Sequence, residues 1–127
     1  MDRYEKKNTV GRSAHILSNT FDQWQRGSFA GKYAGVFIST SGLGGGQEST
    51  AISAMSTFAH HGFIYVPLGY STAFKQLTDL TAVHGGSPWG AGTLSAGDGS
   101  RMPSASELEV AEIQGENFAK ILLRGNF

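Results

Sequence analysis

The stretch from Tyr33 to Leu68 constrains the fold more than any other part of the chain. Tyr33 to Ile38 is a short apolar run with aromatic and β-branched residues. It predicts a strand buried on both faces. The run breaks into Ser39-Thr40-Ser41-Gly42-Leu43-Gly44-Gly45-Gly46, and a helix is predicted from about Gly46 to His60. Ile52, Met55 and Ala59 fall on one stripe of that helix, with Phe58 beside it. Glu48 lies in its first turn, where negative charge complements the helix dipole. His60 and His61 close it, and Gly62 suits the left-handed position just beyond. Phe63 to Leu68 then reads as a second strand. Strand, helix and strand at this spacing form a βαβ unit, so the two strands are expected to be parallel with a right-handed crossover.

The rest of the chain adds less. Residues 1 to 30 are polar and weakly periodic, with Ile16-Leu17 the only aliphatic pair and a helical turn expected near Phe21 to Trp24. Residues 69 to 103 carry no strong period. Within them Gly85 to Gly92 is a second glycine-rich loop, Thr93-Leu94 a candidate short strand, and Gly97-Asp98-Gly99-Ser100 a tight turn. After Pro103, Ser104 and Glu107 fit a capping box that opens a long helix. Leu108, Ala111, Gly115, Phe118 and Leu122 share one face of it. Gly115 costs about 1 kcal/mol against Ala in mid-helix, so close packing of this face on the sheet is expected. Two strands and two helices do not cover a parallel sheet on both faces. Either partner chains supply the rest, or the chain lacks part of a larger fold.

Composition narrows the function classes. The 127 residues suffice for one domain, and ten basic residues balance ten acidic ones. Zero net charge argues against nucleic-acid binding by bulk charge. There is no cysteine, so disulfides, thiolate metal sites and a cysteine nucleophile are excluded. No apolar run approaches the roughly 20 residues that span a bilayer. Met1 to Lys7 is charged, with no apolar segment after it, so a secretory signal is not expected. A cytoplasmic location is the expectation.

The chemistry candidates each have a bland counterpart. The loop Ser39 to Gly46 follows a strand and precedes a helix, where ligands sit in open α/β sheets. It lacks the Gly-Lys-Ser/Thr ending of a P-loop, and from Gly42 the sixth position of G-x-G-x-x-G is Gln47. It serves either as a wall for a ligand or as a loose turn. His60 and His61 either cap helix carbonyls or contact a cofactor. No carboxylate accompanies His60, His61 or His84 at ligand spacing, which disfavours a metal. Ser87 begins a G-x-S-x-G pattern that fails at Trp89, which disfavours a hydrolase. Trp24 and Trp89 either pack or wall an aromatic pocket. Asp98 and Arg101 read as a turn and its flank.

Several ordered blocks resemble one family. They are Gly31-Lys32-Tyr33-Ala34-Gly35, Gly44-Gly45-Gly46-Gln47-Glu48-Ser49-Thr50, Ala59-His60-His61-Gly62, Val66-Pro67-Leu68-Gly69-Tyr70, His84-Gly85-Gly86-Ser87-Pro88-Trp89-Gly90-Ala91, Gly97-Asp98-Gly99-Ser100-Arg101 and Ala111-Glu112-Ile113-Gln114-Gly115. Together they resemble the WrbA-type NAD(P)H:quinone oxidoreductases, in the form found in fungi. The resemblance implies an α/β, flavodoxin-like fold with a parallel sheet and flanking helices. It implies FMN as cofactor, NAD(P)H as co-substrate, a quinone as electron acceptor and a homotetramer whose sites draw on neighbouring subunits. By the same resemblance Ser39, Thr40, Ser41, Gly42, Leu43, Gly44 and Gly45 line the flavin ring, His60 contacts FMN, and Trp24 walls the quinone side. The family's first strand, its phosphate-cradling loop and a third strand are not matched in residues 1 to 20. The chain thus reads as a divergent segment, 1–20, followed by the C-terminal part of a flavodoxin-like domain, 21–127. Two functions follow: quinone reduction impaired by the missing phosphate loop, or a non-catalytic scaffold or subunit-interaction module.

Overall fold

The computed structural model describes residues 20–124. The expected irregular segment with Ile16-Leu17 lies outside these, apart from Thr20. The elements run α1 (Phe21–Gln25), β1 (Tyr33–Ala34), β2 (Ile38–Thr40), α2 (Gln47–His61), β3 (Ile64–Tyr65), α3 (Phe74–Leu77), β4 (Gly92–Leu94) and α4 (Ala105–Arg124). The mixed α/β class and the short parallel sheets agree with a partial flavodoxin-like fold.

The βαβ unit forms as expected, because β1 and β3 pair in parallel with Tyr33 opposite Ile64. The second pair, β2 with β4, is also parallel, with Ile38 opposite Gly92. The two pairs lie along one edge of a single extended path. Lys32 O and Ala34 O accept from Ile64 N and Val66 N, while Ile38 N donates to Ala91 O and Thr40 O accepts from Ser95 N. All four residues on this path are even-numbered, and groups of one parity face one edge of a strand. Between the pairs the side chain of Gln114 bridges the gap. Its Nε2 donates to Val36 O at 2.8 Å and its Oε1 accepts from Ala91 N at 2.6 Å. The strand expected over 33–38 is therefore interrupted, because a side-chain amide replaces one step of the ladder.

The opposite edge is open. Among the described residues, no backbone partner outside the ladder faces Tyr33, Gly35, Phe37 or Ser39. Phe37, expected inside a strand buried on both faces, is 86 % exposed.

Helix α2 packs on β2 and β3, and α4 packs on β4 and α3. The helices take opposite faces of the 33–40 path. Thr40 meets Gln47 at the start of α2, whereas a Cβ at Gly35 would meet Gln114 and Phe118 of α4. The stripe expected on α2 is corrected. Ile52 is exposed, as is Ala59, and the buried positions are Ala51 and His61, with Met55 and Phe58 half-buried. The physical reason is an aromatic cluster at the C-terminal end, where Phe58 meets Phe63 edge-on and stacks on Tyr65. That contact turns the helix toward Phe58 and away from Ile52. Gly62 takes the left-handed conformation expected of it, at φ 72°.

Helix α4 is rotated from its apolar face in a similar way. The capping box forms: Glu107 N donates to Ser104 Oγ, and Ser104 N donates to the Glu107 carboxylate at 2.8 Å. The buried face, however, is Glu107 and Val110, flanked by Ile113, Gln114 and Phe118. Leu108, Ala111, Gly115 and Leu122 are exposed. The close packing expected at Gly115 is absent, since an added Cβ there meets nothing within 4 Å. The core is small: Leu68, Ala73, Ala91 and Val110, with Leu77 and Ile113 against them. Among the described residues no helix is long and apolar enough to cross a membrane.

Candidate ligand cavity

Parallel strands β2 and β4 end together at Thr40 and Leu94. Beyond their carboxyl ends the chain forms a cavity of about 410 Å³. The first glycine-rich loop contributes Leu43, Gly44 and Gly46, the second contributes Gly85 and Gly86 with His84 before them, and α2 contributes Glu48 and Ser49. Added Cβ atoms at Gly42 and Gly44 would meet nothing within 4 Å. The first loop therefore leaves its main chain open to a close neighbour.

Two side chains, Gln47 and the capping-box residue Glu107, hold this cavity in shape. Gln47, the first residue of α2, donates from Nε2 to Thr93 O at 2.8 Å and to Thr40 Oγ1 at 3.1 Å. Its Oε1 accepts from Gly86 N at 2.8 Å. One amide thus joins β2, β4 and the second glycine-rich loop. Gly92 must be glycine here, because a Cβ would overlap Gln47 Oε1 and stand 2.6 Å from Gly86 N.

Glu107 does the same from the α4 side. Its Oε1 accepts from Gly85 N at 2.8 Å, and its Oε2 accepts from Thr93 Oγ1 at 2.9 Å, Arg101 Nη1 at 3.0 Å and Ser104 N. The residue is 4 % exposed. Burial alone would raise its pKa, but the donors from Arg101, Ser104, Gly85 and Thr93 outweigh it and hold the carboxyl at about 2, against 4.5. Arg101, read from the sequence as the flank of a turn, is the counter-ion and also donates to Leu94 O. Asp98 does form the expected turn, accepting from Ser100 N and Oγ.

The residues that the resemblance implicates fall into two groups. Leu43 and Gly44 line the cavity, Thr40 supports it through Gln47, and Thr40 Oγ1 donates to Gly42 O at 3.1 Å. Ser39 faces a different hollow, with Phe37 and Leu108. Ser41, Gly42 and Gly45 stand in the same loop, where Gly45 N donates to Gly42 O. His60 and Trp24 lie together but at the other end of α2. Trp24 Nε1 donates to His60 O at 2.7 Å, and with Phe21 and His61 they line a separate hollow of about 230 Å³. The thirteen-residue rise from Gln47 to His60 places it about 20 Å from the loop, at 1.5 Å per residue. His60 Nδ1 is within 2.7 Å of Ser56 O, a hydrogen bond within its own helix.

Among the described residues no histidine stands beside Ser87. Its hydroxyl accepts from Trp89 N, while the His84 ring contacts Gly85 O and Asp79 O. Trp89 stacks on Tyr65, and the Tyr65 hydroxyl donates to Trp89 O, so that tryptophan is a packing residue.

No protein-family model matches the chain. Curated proteins do. The chain is 64 % identical over 107 residues to minor allergen Alt a 7 of Alternaria alternata, covering 84 % of this chain and 52 % of that protein. It is 58 % identical over 95 residues to NAD(P)H quinone oxidoreductase PST3 of Candida albicans, covering 75 % of this chain and 48 % of that protein. It is 55 % identical over 103 residues to NAD(P)H quinone oxidoreductase PST2 of the same organism, covering 81 % and 50 %. The resemblance read from the ordered blocks is thus borne out as homology to fungal quinone oxidoreductases. The chain spans about half the length of the curated relatives it matches.

Proposed function

We propose that the chain forms the flavin-ring side of an FMN-dependent NAD(P)H:quinone oxidoreductase of flavodoxin-like fold. The observation that carries this is the convergence of two glycine-rich loops on one cavity beyond the carboxyl ends of β2 and β4. Relatives named as NAD(P)H quinone oxidoreductases support it. The cavity fits a flat, uncharged ring: Gly42 and Gly44 leave space at the main chain, and Gln47 and Glu107 hold the walls in place. It does not fit a phosphate dianion. Among the described residues no Lys or Arg lines it, and Glu48 already sits at the first turn of α2, where an anion would be favoured. When bound, FMN supplies two-electron chemistry between NAD(P)H and a quinone. The chain's part is to orient the ring through the Ser39–Gly45 loop and to exclude water from one of its faces. Contact of the same ring with His60 and Trp24 requires a second copy, in keeping with the tetramer implied by the resemblance.

Titration of the full chain with FMN and with riboflavin, followed by flavin fluorescence, tests this reading. Both are expected to bind weakly and within about threefold of each other, a difference below 1 kcal/mol. No saturable quenching by either would overturn the ring site. Binding of FMN far tighter than riboflavin would overturn the missing phosphate anchor. The alternative, a subunit-interaction module without catalysis, is favoured by the unpaired edge of the 33–40 path.

A further inference from the structure

Residues 79–84 join α3 to the second glycine-rich loop with no helix or strand of their own. Leu80 and Val83 in this segment are exposed. From outside it, Arg101 Nη2 donates to Val83 O at 3.3 Å. The tighter tie is internal. The His84 ring brings Nε2 to 3.1 Å from Asp79 O and Nδ1 to 2.8 Å from Gly85 O. It closes the segment into a strap and joins it to Gly85, whose N–H is fixed by Glu107. The next residue, Gly86, is fixed by Gln47. Both partners of the ring are carbonyl oxygens, and a carbonyl only accepts. A neutral imidazole has one N–H and one lone pair, whereas the imidazolium has two N–H groups. The neutral ring therefore satisfies one of these contacts and turns a lone pair toward the other. With both carbonyls served, neither N–H is left for a ligand. The ring's part in the cavity is to hold the wall made by His84, Gly85 and Gly86.

We infer that His84 is a proton-operated latch on this cavity: with two ring protons it closes the strap over 79–85, and with one it releases an end of it. Because protonation supplies the second donor, the latch is closed on the acid side. It loosens as pH rises through the range in which histidine changes charge. The charged groups on the elements around it are Asp79 in the strap, Lys75 on α3, Arg101 at Val83 O, Glu107 of α4 at Gly85 N, and Glu48 of α2 in the same cavity. Asp79 favours the doubly protonated ring. Two bonds from Thr81 hold its carboxyl below the usual carboxylate range, and the His84 and Lys75 charges add to this. Glu107 is paired with Arg101, so the two largely offset each other at the ring. Carboxyl, ammonium and guanidinium groups ordinarily titrate outside the imidazole range, so the latch moves while its surroundings keep their charge. The consequence is a cavity wall that is fixed in acid and loose in mild base, whatever the cavity takes.

The test is amide hydrogen exchange on the full chain, without ligand, at about pH 5.5 and about pH 8, on either side of the imidazole range. Rates are expressed as protection relative to the unfolded rate at each pH. Protection of the Gly85 and Gly86 amides should fall by about fivefold or more at the higher pH, as a local opening would produce. Ile64 and Val66, which donate to Lys32 O and Ala34 O at the other end of the fold, should keep theirs. His84→Gln presents one donor and one acceptor, as the neutral ring does, and should show the low protection at both pH values. His84→Arg keeps a permanent cation with several N–H donors and should show the high protection at both. Protection of Gly85 and Gly86 that is the same at both pH values in the parent chain would overturn the latch. So would a fall with pH that persists in His84→Gln, or full protection in that variant, or a fall that His84→Arg does not prevent. No flavin is present in any arm, so a failed flavin titration and a failed latch are read separately.

Discussion

The carboxylate of Glu107 stands among donors only: two backbone N–H groups, a hydroxyl and a guanidinium. Its pKa lies at about 2 in the folded chain against 4.5. A depressed folded pKa contributes stability that is fully present above the unfolded value and lost as pH falls through the folded one. The window is therefore pH 4.5 down to 2, and the shift corresponds to ~3 kcal/mol at neutral pH. Glu107→Gln puts an amide N–H against donors that need an acceptor. Urea unfolding should show a deficit of ~3 kcal/mol at pH 7 that shrinks by roughly half by pH 3, because the unfolded carboxyl takes up a proton below 4.5 while the folded one is still mostly ionised. An equal deficit at both pH values would contradict this account. The capping box made Glu107 legible as a helix start. Its contacts to Gly85 and Thr93 were not, because they join residues 22 and 14 positions away with no local signal.

The βαβ unit was legible at the level of elements because its signals are local: a β-branched run, a glycine break, a helical stripe and a left-handed glycine. The orientation of both helices was not. Apolar residues lie on more than one side of α2 and α4, and only tertiary contacts choose between them. On α2 the choice is made by Phe58 and the Phe63–Tyr65 cluster, and on α4 by Glu107 and Val110. The apolar stripe Leu108–Leu122, expected to pack on the sheet, is instead mostly exposed, with only Phe118 half-buried. Amide hydrogen exchange tests the edge that borders it. Amides of Ile38, Ile64, Val66 and Ser95 donate to backbone carbonyls and should be protected. Those of Gly35, Phe37 and Ser39 should exchange close to the unfolded rate, as solvent-facing edge groups do. Protection of Phe37 comparable to that of Ile38 would show the edge to be covered.

The distribution of sites over the whole molecule separates what the resemblance grouped together. The glycine-rich loop and the Trp24–His60 pair sit at opposite ends of α2, about 20 Å apart. A flavin ring does not span that distance, so one ring touching both groups must lie between two copies. On the proposed flavin reading, mass action ties flavin affinity to protein concentration, because binding to an assembled form draws the association equilibrium with it. Flavin titrated at low and high protein concentration should bind more tightly at the higher one. His60 is exposed, and its ring hydrogen bond goes to a carbonyl of its own helix, so His60→Ala should leave the fold and the dilute-protein affinity unchanged while removing most of the concentration dependence. A loss of affinity at every concentration would contradict the two-copy account. Sedimentation velocity on the same samples separates the remaining alternatives: assembly with flavin unaffected by His60→Ala would place the subunit contact elsewhere than at the Trp24 end.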